Sequence, residues 1–280
     1  MKALFKDPNI QAEFEERGYV ILPFLNEQEI NYLLQLYKDN FSQFEITGLY
    51  PTHSRNSVEL SLKMSDLICT AFKRAADDIL TDYQFFIGHF MVKSNVDSRE
   101  FELHQDWSVV YEDQFHIAQM WCPLVDTYPQ NGGLFVIPGS HKFFNNHRSG
   151  SLYRFHHKVS ERTEKHILPL SIKAGYALFY HNRLIHGSFP NQSDKMRIVA
   201  MANTTSKEAG YVYYQKSKKQ SDTVDIYKLD KDLLLSNLKL FEVGEIPAQL
   251  PYINSIPYSD DAISEADILK KIEEACQIPS

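Results

Sequence analysis

The chain has 280 residues, of which 43% are hydrophobic and 23% are charged. This composition is typical of an ordinary soluble globular protein that can bury a full hydrophobic core. The formal net charge of −7 argues against general binding to nucleic acid or to anionic membranes, because both repel an acidic surface. We therefore expect neither a nucleic-acid partner nor a membrane partner.

The cysteines and the first residues indicate the cellular compartment. Cys69, Cys122 and Cys276 are odd in number, widely spaced and never in a C-x-x-C motif. This pattern favours reduced, structural thiols over a disulfide framework or a zinc site. The chain begins without the apolar stretch of a signal peptide, and no run reaches the roughly 18 apolar residues of a membrane span. We expect a cytoplasmic protein.

The first part of the chain, about residues 8–80, is predicted to be mostly helical. Residues 8–17 predict a short helix, followed by a buried strand at 19–25. Residues 26–41 predict the clearest helix, because they begin with an asparagine and carry a glutamate three positions later, which is a capping-box arrangement. Residues 57–80 predict one or two further helices.

From residue 83 the pattern changes to short β-type runs. Turn-rich pieces such as Asn-Gly-Gly and Pro-Gly-Ser separate them. The runs are residues 83–94, 101–110, 115–127, 132–139, 166–172, 176–181 and 197–205. Strands at this spacing suggest a sandwich or a double-sheet jelly roll. We predict a mainly β fold with flanking helices and a core at about 83–205.

Two intervals are predicted to be long loops, and the tail is predicted to be helical. Residues 142–165 contain six Lys and Arg against two Glu, and residues 206–222 add four lysines beside three tyrosines. Long loops in a domain are often functional lids, so the basic excess hints at an anionic substrate. A solvated basic loop explains the charge equally well. We expect residues from about 223 to 280 to form a helical extension that packs on the core, within a single domain of residues 1–280.

The tripeptide His104-Gln-Asp106 is the first candidate metal-binding motif. In a strand, residues two apart project from the same face, so the imidazole and the carboxylate could converge on one ion. Two histidines and one carboxylate form the facial triad of non-haem Fe(II) oxygenases. The alternative is a chance H-x-D, with a histidine at a strand edge and a solvated aspartate.

Residues downstream of this motif include two candidates for the second histidine ligand and an arginine that is expected to be buried. His181 and His186 both follow an apolar strand, and Arg197 begins another apolar strand. An arginine in such a strand is costly to bury without a partner. If the protein supplies no carboxylate there, a bound dicarboxylate could pair with the guanidinium.

Four motifs in order carry a family resemblance. H-x-D at 104–106 is followed by N-G-G-L-F-V-I-P-G-S-H-K at 131–142 and by H-G-S at 186–188, with an arginine eleven residues after the last histidine. Together with the opening G-Y-V-I-L-P-F-L-N-E-Q-E-I at 18–30, this order resembles the phytanoyl-CoA dioxygenase (PhyH) family over roughly residues 12–205. The resemblance implies a double-stranded β-helix core (jelly roll, cupin-like).

The resemblance also implies roles for individual residues. Matched position by position, the iron ligands are His104, Asp106 and His186. Arg197 and Ser188 match positions that hold the distal carboxylate of 2-oxoglutarate, and Trp121 matches a residue of the co-substrate pocket, although a plain core aromatic explains it as well. His141 is expected to be structural rather than a ligand.

The implied activity is that of an Fe(II)- and 2-oxoglutarate-dependent dioxygenase. Such enzymes consume O2, convert 2-oxoglutarate into succinate and CO2, and oxidise a C–H bond. Asp106 argues against a halogenase, because related halogenases have Gly or Ala at this position. Desaturation, epoxidation and cyclisation share the same ligands and remain alternatives.

The substrate is predicted less closely than the cofactors. We expect hydroxylation of a small metabolite, either a natural-product tailoring step or an amino acid. The alternatives are an acyl-CoA or carrier-bound acyl hydroxylase and a non-catalytic cupin-like binding protein. No motif indicates the oligomeric state. The candidate substrate residues are His89, Lys93, Arg154 and Tyr213.

Overall fold

The computed structural model describes residues 1–152, 155–259 and 262–276. The helices are α1 (Pro8–Arg17), α2 (Glu27–Phe41), α3 (Thr52–Arg55), α4 (Val58–Ile79), α5 (Glu161–Glu164), α6 (Lys231–Ser236), α7 (Leu238–Glu242) and α8 (Glu265–Cys276). The strands are β1 (Tyr19–Pro23), β2 (Leu49–Pro51), β3 (Tyr83–Lys93), β4 (Phe101–His104), β5 (Ile117–Pro123), β6 (Leu134–Val136), β7 (Leu168–Pro169), β8 (Tyr176–His181), β9 (His186–Ser188), β10 (Arg197–Ser206), β11 (Val212–Lys216), β12 (Thr223–Lys228) and β13 (Tyr252–Pro257).

The N-terminal helices begin and end where the sequence predicts. The Asn26 side chain accepts a hydrogen bond from the Glu29 amide, and the Glu29 side chain accepts one from the Asn26 amide, so the capping box at the start of α2 is complete. Helix α1 ends at Gly18, whose φ of +80° is in the left-handed region that glycine adopts without strain. Local sequence therefore determines where α1 ends and where α2 begins.

Two antiparallel sheets form the core. The larger has the strand order β1-β8-β5-β10-β3-β2, and the smaller has the order β4-β9-β6-β7. Trp121 and Met201 of the larger sheet pack in one cluster with Leu134 and Val136 of the smaller sheet. The sheets therefore face each other across a shared core, which confirms the predicted jelly roll.

The larger sheet has two different faces, because side chains alternate along each strand. On β5, Met120 and Cys122 pack with residues of α1, α2 and α4 in an outer core. Trp121, between them, points to the smaller sheet and lines the central cavity. The N-terminal helices thus cover one face and leave the other for the site.

The C-terminal region differs from the prediction. It contains helices α6, α7 and α8, but β12 and β13 also lie there, and with β11 they form a third sheet. Strand β11 lies within 206–222, and α5 within 142–165, so neither interval is a continuous loop. Residues of α6 and α7 pack against the start of β3 in a separate apolar cluster.

The described thiols are unpaired, with Cys122 buried and Cys69 partly buried. Within the described part of the chain, no helix is long and apolar enough to cross a membrane. The cytoplasmic location stays a prediction.

Candidate active site

The H-x-D motif lies at the end of a strand rather than inside one. Strand β4 ends at His104, and Asp106 lies in the loop that follows, where its amide donates to the Asn182 carbonyl at 2.9 Å. Gln105 turns away and donates to the Arg183 carbonyl at 2.5 Å. The two side chains still converge. However, Asp106 is positioned by a loop that is hydrogen-bonded to residues 182 and 183, and not by the alternation of side chains along a strand.

Strand β9 supplies the second histidine. It pairs antiparallel with β4, and His186 is the direct partner of His104, with ring centroids 4.2 Å apart. One ligand atom from each of His104, Asp106 and His186 lies within 4.8 Å of the others, and no other such cluster of His, Cys, Asp or Glu occurs among the described residues. Of the two downstream candidates, His186 therefore joins the motif.

Hydrogen bonds orient both imidazoles. The Nδ1–H of His104 donates to the Glu102 carbonyl at 2.8 Å, and that of His186 donates to the Leu184 carbonyl at 2.9 Å, so Nε2 is the ring atom that each histidine has left for a metal. Burial holds the pKa of His104 well below its usual value, so the ring stays neutral. The Asp106 Oδ2 is buried without a hydrogen-bond partner. These three donors fit a divalent metal such as iron.

His181, the other candidate, lies in a different cluster. Its ring packs against those of His141 and His116, and the His141 Nε2 donates to the Glu15 carbonyl. His141 is structural in this position, since it connects the turn after β6 to α1.

Two buried cations lie side by side at the end of the larger sheet. Arg197 begins β10 and pairs in register with Lys93, the last residue of β3. Arg197 is 1% exposed and Lys93 is fully buried. The Lys93 ammonium donates to the Ser188 hydroxyl at 2.8 Å, and Arg197 Nη1 donates to the Gly132 carbonyl at 2.5 Å.

No carboxylate of the described residues forms an ion pair with either cation. The Arg197 Nε has no hydrogen-bond partner, and its guanidinium carbon lies 5.3 Å from the centre of the Trp121 ring. Burial, followed by the neighbouring Arg197, lowers the pKa of Lys93 to about 7. Two adjacent buried cations without an ion-pair partner are costly, so the wall around Arg197 is suited to an anion from outside the chain.

A family model decides the classification. The model described as phytanoyl-CoA dioxygenase (PhyH) matches residues 14–199, which is most of the chain. The chain belongs to the phytanoyl-CoA dioxygenase family. The predicted iron and 2-oxoglutarate agree with this membership and with the His-Asp-His cluster, and a structure of the neighbour SnoN contains Fe3+ and alpha ketoglutarate.

Curated members of the phytanoyl-CoA dioxygenase family match a shorter stretch. Phytanoyl-CoA dioxygenase of Arabidopsis thaliana is 36% identical over 100 residues, which is 34% of this chain and 34% of that protein. Phytanoyl-CoA dioxygenase domain-containing protein 1 of Danio rerio is 30% identical over 104 residues, which is 34% and 36% of the two chains. The chain thus matches about a third of the length of these relatives.

Solved structures share the fold at low identity. The epimerase SnoN of nogalamycin biosynthesis aligns with a TM-score of 0.53 and 19% identity, over 73% of this chain and 87% of that one. The carbocyclase SnoK gives a TM-score of 0.51 and 18% identity, over 73% and 86%. EvdO2 from Micromonospora carbonacea var. aurantiaca aligns with a TM-score of 0.51 and 19% identity, over 74% of this chain and 94% of that one.

A cavity of about 320 Å³ lies between the sheets and contains the metal cluster. The predicted site residues on its wall are His89, His104, Asp106, Trp121, His186, Ser188 and Arg197. Lys93 lies directly behind Ser188, with its ammonium on the Ser188 hydroxyl and on the Phe189 carbonyl. The family residues inferred from separate motifs therefore meet in one place.

Of the predicted substrate residues that the structure describes, His89 lines the wall, whereas Lys93 and Tyr213 do not. Tyr213 is buried in the cluster beneath α7, and its hydroxyl donates to the Phe241 carbonyl at 3.1 Å. Arg154 lies outside the described residues. No described residue of 142–165 or 206–222 lines the cavity, so the described basic residues of those intervals are no evidence for an anionic substrate.

Several wall residues were missed by sequence reasoning, namely His53, Tyr180, Asn203, Leu234, Leu238 and Glu242. Asn203 could have been found, because it continues the alternating inward face of β10 that begins at Arg197. No local sequence pattern identifies His53 or helices α6 and α7 as part of the cavity wall, because long-range packing brings them there.

Tyr180 lies beside the metal cluster. Its ring centre is 4.6 Å from that of His186. Burial, followed by the Asp106 carboxylate, raises the pKa of Tyr180 well above its usual value, so the hydroxyl remains protonated. It can serve as a hydrogen-bond donor next to the metal ligands.

Proposed function

We propose that this chain is an Fe(II)- and 2-oxoglutarate-dependent dioxygenase that hydroxylates an unactivated C–H bond of a small metabolite, in a natural-product tailoring step or on an amino acid. One observation carries the proposal. A cluster of two histidines and a carboxylate shares a cavity with Arg197, beside buried Lys93, and no described carboxylate forms an ion pair with either cation.

Each residue then has a distinct task. The Nε2 atoms of His104 and His186 and the Asp106 carboxylate would hold the iron. Arg197 and Ser188 on the wall, with Lys93 behind Ser188, would hold the distal carboxylate of 2-oxoglutarate and so fix its orientation. Bound iron supplies the oxidising chemistry, in which O2 and 2-oxoglutarate give succinate and CO2.

The cavity supports a small substrate over an acyl-CoA. Its volume of about 320 Å³ must also hold the co-substrate, and Arg197 is the only Lys or Arg among the described residues on its wall. Coenzyme A carries several phosphate charges that basic side chains would have to neutralise. A purely binding function is disfavoured as well, because binding alone does not require buried metal ligands beside two buried cations, Arg197 and Lys93, that have no ion-pair partner.

The reaction type needs a product analysis. Among the structural neighbours, SnoK is a carbocyclase and SnoN is an epimerase, so the fold also accommodates other outcomes. Hydroxylation adds one oxygen to the substrate, cyclisation removes two hydrogens, and epimerisation leaves the mass unchanged. Mass spectrometry of the product therefore distinguishes them.

The test begins without a substrate. Purified protein is mixed anaerobically with Fe(II) and 2-oxoglutarate, and we expect a visible metal-to-ligand charge-transfer band. His186→Ala should abolish it. Exposure to O2 should then give succinate, at a higher rate once a substrate is present. A wild-type protein that binds Fe(II) but shows neither the band nor succinate would refute the proposed function.

A further inference from the structure

A pair of histidines on the cavity wall has no task in iron or co-substrate binding. His53 of α3 and His89 of β3 have ring centres 4.1 Å apart. His89 is 7% exposed, yet neither of its ring nitrogens has a hydrogen-bond partner, and the Nδ1 of His53 has none. Leaving buried polar atoms unpaired costs free energy, so these atoms are suited to a group from outside the chain.

The pair is uncharged. Burial lowers the pKa of His53 to about 4 and that of His89 well below the usual value. A neutral imidazole offers one N–H donor and one nitrogen acceptor. Two further cavity residues, Gln119 and Asn182, each have an unpaired buried side-chain oxygen. Apart from the metal ligand Asp106 and the guanidinium of Arg197, the wall residues with unpaired buried polar atoms therefore have neutral side chains.

The positive charge of the cavity wall belongs to a residue whose backbone position is distant from the histidine pair. Arg197 is the one wall cation among the described residues, and it pairs with Lys93, four positions along β3 from His89. Four residues of a strand span about 13 Å. Glu242, on the wall at α7, forms no ion pair with a described residue. An anion beside His89 would lose its hydration without a compensating charge.

Apolar side chains make up much of the rest of the wall near the pair. His89 lies opposite Met201 in the sheet, and Met201 lies opposite Trp121. The other apolar residues at this end are Phe86, Ile87, Val109, Leu234 and Leu238. Such a surface favours a hydrophobic body, with a few polar contacts that set its orientation.

We propose that the cavity accepts an uncharged substrate with an apolar body and at least one hydroxyl group, and that His53 and His89 bind that hydroxyl. A hydroxyl matches the pair because it both donates and accepts, as a neutral imidazole does. The inference rests on the proposed function for its reaction, and of the two substrate classes proposed there it excludes a free amino acid, which is charged. The recognition itself is independent of turnover.

The test uses matched probes on the full chain loaded with Ni(II) and 2-oxoglutarate. The probes are 4-tert-butylcyclohexanol, the corresponding carboxylate, and the corresponding methyl compound, and ligand-observed NMR gives each dissociation constant. We expect the alcohol to bind about tenfold more tightly than either other probe. His89→Leu should remove this advantage, while His89→Asn, which keeps a donor and an acceptor, should retain most of it.

His166→Leu is the matched control, because His166 does not line the cavity, and it should leave the alcohol preference unchanged. Tighter binding of the carboxylate, failure of the alcohol to bind, or an unchanged preference in His89→Leu would each overturn the inference. The visible Fe(II)–2-oxoglutarate band is measured in the same variants. If the band is missing but the alcohol is still preferred, only the proposed function is refuted. If the band is present but the alcohol is not preferred, only the proposed substrate class is refuted.

Discussion

Arg148 connects a buried carboxylate to the backbone of the metal-binding loop. Its Nη2 lies 2.7 and 2.9 Å from the two carboxylate oxygens of Glu112, and its Nε donates to the Asp106 carbonyl at 2.6 Å. Arg148 is 2% exposed and Glu112 is 5% exposed. The ion pair therefore holds the loop that presents the Asp106 side chain.

Breaking this pair should destabilise the protein and weaken metal binding. Glu112→Gln leaves the buried guanidinium without its counter-charge, and the expected loss in the free energy of unfolding is about 3 kcal/mol. Denaturant unfolding of the metal-free protein measures it, and Co(II) titration measures the affinity. Glu245→Gln, in the exposed pair with Lys218, is the matched control and should cost less than about 1 kcal/mol. Equal effects of the two variants would contradict the role of Arg148.

Metal binding should depend on His186 and not on His181. A metal at a hundred times its dissociation constant stabilises the folded state by about 2.7 kcal/mol. We expect Co(II) to raise the melting temperature of the wild type and of His181→Asn, but not of His186→Ala. Differential scanning fluorimetry with and without Co(II) measures this. A Co(II) shift that survives in His186→Ala would exclude that residue as a ligand.

Arg197 and Lys93 should act together on 2-oxoglutarate. Arg197→Ala and Lys93→Met should each raise its dissociation constant by about tenfold or more, because each removes a charge from the same carboxylate site. The effects of the double variant should not be additive, since the two residues are neighbours. Calorimetry of the Ni(II)-loaded protein gives these constants. Co(II) affinity should stay within a few-fold of wild type, and a large loss of metal affinity would indicate a different role.

The affinity for 2-oxoglutarate should fall as pH rises. The pKa of Lys93 is lowered to about 7 from an ordinary value of 10.5, so above neutrality the ammonium loses its proton in the folded protein before it would in the unfolded chain. The anion prefers the protonated form, and its binding therefore weakens from about pH 7 upward. Calorimetry between about pH 6 and about pH 9 tests whether the affinity for 2-oxoglutarate falls as the pH rises. Lys93→Met should give a flatter profile, and identical profiles would contradict the assignment.

Gly187, between His186 and Ser188, should tolerate no side chain. A Cβ there would lie 2.5 Å from the Phe101 carbonyl oxygen and 2.5 Å from the Phe135 ring. Gly187→Ala should force β9 away from β4, lower the stability by about 1–3 kcal/mol and weaken Co(II) binding. Gly210→Ala is the control, because nothing lies within 4 Å of its added Cβ. Unfolding curves and Co(II) titrations compare the two. Equal stability of the variants would show that β9 can shift without cost.

Prediction from sequence succeeded where short-range patterns carry the information. The capping box of Asn26 and Glu29 and the apolar strands of the core are local features, and the structure contains them. The same reasoning placed His104 and Asp106 within one strand, although β4 ends at His104. Their convergence depends on the backbone bond from Asp106 to Asn182, a contact between distant parts of the chain.

The sequence by itself determined the jelly-roll core and the candidate metal and carboxylate residues, because strand periodicity and ordered motifs depend on neighbouring residues. Only the tertiary structure decided the register that joins Lys93 to Arg197, the loop that orients Asp106, and the wall that His53 and helices α6 and α7 build around the cavity. Those contacts join residues far apart in the chain, and sheet pairing and apolar packing bring them together only when the whole domain folds.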